Sequence, residues 1–164
     1  RHIVHNQSEL HVITSVSMLR FEFIRELFYH HPVVINFYGD VKGLVLDIMG
    51  DPGDSYTVLI EEGFQETMKQ YPNVKIDTKI ADKWEATNAA NIADDYLVAH
   101  PETDLIFAHS DHLTAAIASV LETKGIKQGE KLLASCTGMP MGLDLIRKGW
   151  AQVTVEQPLP LPQW

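Results

Sequence analysis

The sequence predicts an α/β fold: a mostly parallel sheet of about five strands, flanked by helices on both faces in three layers. Two observations carry this. From Gly43 onward, short β-like runs and stretches of helical periodicity follow one another in strict alternation. Each strand-to-strand connection is also long enough to hold a helix, as parallel neighbours require. At 164 residues and 45 % hydrophobic, the chain suits one globular domain with a real core.

The run 43–49 (GLVLDIM) reads as a buried strand. Gly50-Asp51-Pro52-Gly53-Asp54-Ser55 is a turn, and Asp54 or Ser55 supplies the cap of a helix reaching about Gln70, stopped by Tyr71-Pro72-Asn73. Residues 74–80 form a second strand with Val74, Ile76, Thr78 and Ile80 on one face. Asp82 offers a helix start, and Ala86, Ala89, Ala90, Ala93, Tyr96 and Leu97 make a small-residue stripe ending at His100-Pro101. Residues 105–108 are the third strand. Leu113, Ala116, Ile117, Val120 and Leu121 face the core from the next helix, which Gly125 closes. Residues 131–136 are the fourth strand, 142–148 a short helix ending at Gly149, and 151–155 the fifth strand. In 1–42, Val12, Val16, Leu19, Phe23 and Leu27 line one face of a helix and 33–37 reads as a strand, a remnant or alternative edge of the domain. The domain proper is 43–157, and the proline-leucine stretch 158–164 is an extended tail.

Composition narrows function. Thirteen Lys and Arg stand against 22 Asp and Glu, a net charge of −9 with no basic cluster, which argues against direct nucleic-acid binding. The single cysteine, Cys136, has no partner for an internal disulfide, and as a strand residue it reads as inert. No apolar run is long enough to span a bilayer, and no secretory leader is visible. The opening Arg1-His2-Ile3 and the extended tail read as the ends of a fragment.

Motifs for chemistry are absent. His109-Ser110-Asp111-His112 sets two imidazoles three apart, but a strand end falls inside the run and their side chains diverge, so no metal is expected. Residues 50–55 join strand to helix as a phosphate-binding turn does, without the lysine or the glycine spacing, and with aspartates that repel phosphate. No nucleophile elbow is present. No catalytic residue and no cofactor are expected; a flavodoxin-like enzyme domain is the alternative class.

Three clusters carry a resemblance. They are Gly63-Phe64 with Tyr71-Pro72-Asn73-Val74 and Trp84; His100-Pro101-Glu102-Thr103-Asp104 running to His109-Ser110-Asp111; and Gly138-Met139-Pro140-Met141-Gly142 with Gly149 and Val153 to Pro158. Their order and spacing resemble the periplasmic sugar-binding proteins of the ribose-binding type, whose type I fold is shared by lac repressor-type effector domains and some histidine-kinase sensors. The matching stretch is the second of the family's two lobes.

The resemblance implies non-catalytic binding of a small sugar-like molecule, in an ABC-transporter receptor or a sensor domain. A lac repressor-type regulator, which would be cytoplasmic instead of periplasmic, is the alternative. It implies as partners the first lobe and a membrane transporter or kinase. It implies five ligand contacts. Trp84 takes the place of an aromatic that stacks on a sugar ring, or is a core tryptophan. Ser110 stands where an asparagine touches ligand. Asp111 follows it, as ligand contact or helix N-cap. Thr137 stands where the family has an aspartate, and Gln157 matches a glutamine at the hinge, or is a loop residue. Ile60 stands where the family has an arginine, so both it and Thr137 remove charge-assisted hydrogen bonds to a polyol. A lobe alone would expose Trp84, Met139 and Met141 and self-associate.

Overall fold

The computed structural model describes residues 42–156 and the backbone of 11–13. The sheet has six strands in the order β1-β6-β5-β4-β2-β3, every neighbouring pair parallel. The strands are β1 His11–Ile13, β2 Lys42–Met49, β3 Asn73–Ile80, β4 Leu105–Ala108, β5 Leu132–Thr137 and β6 Val153–Glu156. The helices are α1 Ser55–Met68, α2 Ala86–Ala99, α3 Asp111–Thr123 and α4 Pro140–Arg147. The five strands and four helices expected from Gly43 onward are all present.

Strand alternation sorts the core into two layers. Val45, Phe107, Ala134, Cys136, Val153 and Val155 face α1, which answers with Ile60, Phe64 and Met68. Leu46, Ile48, Ile106, Ala108 and Leu133 face the other way, onto Ala89, Ala93 and Leu97 of α2 and Leu113, Ile117 and Leu121 of α3. Small alanines on α2 let it pack closely against α3, and the branched side chains of α3 fill the space over the sheet. The result is a three-layer sandwich. Its chain path reverses after β3: α1 carries β2 outward to β3, and α2 returns over the opposite face to β4.

Several local expectations need correction. Val12, expected on a helix face, lies in β1, pairing with Thr154 across the edge of β6. Parallel pairing there satisfies backbone groups of β6 that would otherwise be left at an edge, and β-branched Val12 and Ile13 suit a strand. This adds a sixth strand. The rest of the reading of 1–42 and of the tail 158–164, together with Gln157, lies outside the described residues. Asp82 begins a single 3₁₀ turn, not the helix: Lys83 and Trp84 have φ of 53° and 59°, which breaks the helical path, and α2 starts at Ala86. Helix α4 starts at Pro140, not Gly142, because proline's fixed φ and missing N–H suit a first helical position. Ile80, at the end of edge strand β3, is 47 % exposed.

Candidate functional site

In an open parallel sheet, ligands bind beyond the carboxyl ends of the strands, where the chain path reverses. Here that point lies between β2 and β4. The segments that meet along this edge are Gly50 to Asp54 after β2, Ala81 to Trp84 after β3, His109 to His112 after β4, and Gly138 and Met139 after Thr137, the last residue of β5.

Trp84 is half-buried and rests on the backbone of Gly50; any Cβ at Gly50 would overlap the indole ring. Its Nε1–H donates to Asp54 Oδ2 at 3.3 Å, and the Tyr56 ring stands 6.1 Å away. Asp54 serves twice, because its Oδ1 also accepts from the Tyr56 N–H and caps α1. Both Lys83 and Trp84 hold left-handed backbone, a strain that folded chains concentrate at functional sites.

His112 ties Trp84 to Ser110. Its Nε2–H donates to the Trp84 carbonyl at 2.8 Å, and its Nδ1 lies 2.7 Å from Ser110 Oγ. A carbonyl only accepts, so a neutral ring carries its proton on Nε2 and accepts a hydrogen bond from the serine hydroxyl at Nδ1. Ser110 is 3 % exposed, its hydroxyl turned to His112. Ser110 is also the N-cap of α3, and Asp111 is the first helical residue, one position later than the capping alternative requires.

Asp111 is fully buried. Its Oδ2 accepts from the Met139 N–H at 2.6 Å and from Thr137 Oγ1 at 3.0 Å, and its Oδ1 accepts from Thr154 Oγ1 at 2.7 Å. The Asp111 N–H in turn donates to Thr137 Oγ1 at 3.3 Å. Thr137 has φ of 102° and Gly138 a φ of 65°, and a Cβ at Gly138 would come within 2.9 Å of the Glu156 backbone. Only a glycine lets the β5–α4 turn pass so close to β6. Thr137 and Asp111 are therefore one unit that fixes the loop carrying Met139, and both carboxylate oxygens are spent within the protein. Ile60 is 4 % exposed and packs in the core under α1, so an arginine there would be buried against the sheet, not set at its edge.

The fold thus gathers Trp84 with Ser110, through His112, and Asp111 with Thr137. Asp54, Tyr56 and His112 join the site without any signal in sequence spacing, since each acts through a contact made only after folding.

A second cluster lies just beneath this edge. His109 and His112 diverge: His109 points under α1, fully buried, with its Nε2 at 3.3 Å from Asp47 Oδ1 and 3.6 Å from Glu61 Oε2. Asp47 is fully buried and Glu61 half-buried. Burial drives the Asp47 carboxyl up to about 6 against the pull of His109. Burial opposes charge on the imidazole, yet the Asp47 and Glu61 carboxylates hold His109 above its ordinary value. Burial likewise acts to raise Glu61, but His109, Asp47 and Gln65 hold it below the usual carboxylate range. The signal available in sequence was Asp47 itself, a carboxylate in an otherwise apolar central strand. Cys136 is buried in the same layer, its thiol pushed up by burial and then by the charges of Asp111 and Asp47.

Comparison with known proteins bears on this architecture. The family model described as "Periplasmic binding protein domain" matches residues 33–160. The D-apiose import binding protein of Paraburkholderia graminis is 24 % identical over 120 residues, 73 % of this chain and 38 % of that protein. The ribose import binding protein RbsB of Salmonella typhimurium is 25 % identical over 113 residues, 69 % of this chain and 37 % of that protein. An ABC transporter periplasmic solute binding protein from Actinobacillus succinogenes, solved with bound D-allose, superposes with a TM-score of 0.72 at 22 % identity, over 92 % of this chain and 49 % of that one. The chain thus matches less than two-fifths of the length of these curated relatives. A family model spanning most of the chain, on a doubly wound parallel sheet with its loops gathered at the carboxyl edge, places this chain in the periplasmic binding protein domain family.

Proposed function

We propose that this chain is one lobe of a sugar-binding receptor that recognises its ligand at the carboxyl edge of the sheet and catalyses no reaction. The observation that carries the reading is the mounting of Trp84. Its indole is seated on Gly50, tethered by Asp54 and held at its own backbone by His112, at the point where the chain path reverses. An indole fixed in this way offers a flat apolar face to the C–H face of a pyranose or furanose. Two relatives are import binding proteins for a pentose, which supports a pentose or hexose as ligand and a membrane importer as partner. The same kinship supports a location outside the cytoplasmic membrane.

On this reading Ser110, Asp111 and Thr137 act mainly by position. Ser110 is held by His112, and the Asp111–Thr137 unit sets the backbone of Gly138 and Met139 against the ligand. With one wall of the site only, binding is weak, on the order of millimolar, or roughly 4 kcal/mol. Titration calorimetry of the 164-residue chain with a panel of pentoses and hexoses tests this. At least one sugar binds with millimolar affinity, and Trp84→Ala abolishes that heat. Binding unchanged in Trp84→Ala removes the indole from the site, and no binding by any sugar overturns the reading.

A further inference from the structure

We propose that Asp47, Glu61 and His109 form a binding site for a divalent transition-metal cation of the zinc class, enclosed between α1 and the sheet. The three ligand atoms lie within 4.8 Å of one another. His109 Nε2 stands 3.3 Å from Asp47 Oδ1 and 3.6 Å from Glu61 Oε2. A tetrahedral ion with ligand bonds of about 2.0–2.2 Å separates its ligands by about 3.3–3.6 Å. The cluster therefore already has the spacing of two edges of that tetrahedron.

These groups meet only as ion pairs at 3.3 and 3.6 Å, with no hydrogen bond between them. Both Asp47 oxygens, both His109 nitrogens and Glu61 Oε2 are buried with no hydrogen-bond partner. Buried polar atoms almost always find partners, and five orphans on three neighbouring side chains are unusual. A dication supplies what is missing: it accepts lone pairs from all three groups and balances the Asp47 and Glu61 carboxylates. The donor set chooses the class of ion. One imidazole nitrogen with two carboxylate oxygens suits zinc, manganese or cobalt, whereas calcium and magnesium favour oxygen alone.

Surrounding residues fit the same role. Gln65 Nε2 donates to Glu61 Oε1 at 2.8 Å, which orients the carboxylate and leaves Oε2 for the ion. Thr57, one turn before Glu61 on the buried face of α1, also has an orphaned hydroxyl. Glu61 keeps 20 % of its side chain exposed, which gives an ion a way in. The proposal does not rest on sugar binding, and its experiment contains no sugar.

The untagged 164-residue chain, stripped with a chelator and dialysed, is titrated with zinc and cobalt(II). One equivalent of cobalt gives the visible absorption of a four-coordinate ion, and zinc displaces it. Asp47→Asn and His109→Gln each lose more than about 100-fold in affinity, because losing an outer partner alone costs about 10–100-fold. Gln65→Ala weakens binding about tenfold and His100→Gln leaves it unchanged. Should a core variant fail to fold, Glu61→Gln, at the exposed end of the cluster, carries the test with the same expected loss. No saturable binding of either metal, or binding that survives both His109→Gln and Glu61→Gln, overturns the proposal.

Discussion

At Gly50 the fold leaves no room for a side chain, and this makes the mounting of Trp84 testable one methyl group at a time. Gly50→Ala drives a Cβ into the indole, so the ring must leave its seat. Overpacking of this kind costs about 1–3 kcal/mol, and the Trp84 indole resonance should move while the sheet stays intact. Gly142 tests the partner unit. Alanine in a helix interior normally improves on glycine by about 1 kcal/mol, but here the added Cβ would overlap the Asp111 carboxylate. The prediction is a loss of about 2 kcal/mol in urea denaturation, and a gain would show that the carboxylate is not held as described. Cys136, buried with its thiol pushed up, should resist alkylation in the native chain at mildly alkaline pH and react fully once unfolded. Trp84 was singled out in the sequence by its place relative to Gly63-Phe64 and to His109 to Asp111, and the fold seats it at the carboxyl edge. Asp47 stands out as a carboxylate in an apolar strand, but its grouping with Glu61 and His109 does not show, because only the seating of α1 on the sheet brings them together. The burial of Ile60 was within reach, since Thr57, Ile60 and Phe64 recur at helical spacing on one face.

Among elements, α3 is held at its start by a side chain that works across the sheet. Asp111 at its first position binds the β5–α4 turn through Met139 and Thr137, and β6 through Thr154. Asp111→Ala leaves three donors without an acceptor in a closed site, so a loss of about 3–5 kcal/mol is expected in chemical denaturation. A loss under about 1 kcal/mol would mean that the turn has other supports. Element order and type from Gly43 onward were readable because each central strand is apolar and each helix keeps its periodicity. Element ends were less readable. The left-handed backbone at Lys83 and Trp84 delays α2, and Pro140 advances α4, and both depend on local geometry that periodicity does not report. Strand β1 was missed because the run around Val12 carries apolar residues at helical spacing as well, and the edge of β6 decides between the two.

For the molecule as a whole, Met139 and Met141 stand exposed at 40 % and 41 % beside the carboxyl edge of the three-layer lobe. From these exposed methionines and the half-buried Trp84 we expect concentration-dependent self-association by sedimentation that the double change Met139→Ser, Met141→Ser reduces. The central claim is that a sugar is recognised at this edge and by the Trp84 indole. The most direct measurement is a nuclear magnetic resonance titration of the ¹⁵N-labelled chain with the best sugar of the panel. Saturable, millimolar shifts are expected at the Trp84 indole N–H and at the backbone of Gly50, Ser110, Gly138 and Met139, with the far ends of the strands unmoved. Shifts confined to other surfaces, or a Trp84 indole that does not respond at saturation, would contradict that claim.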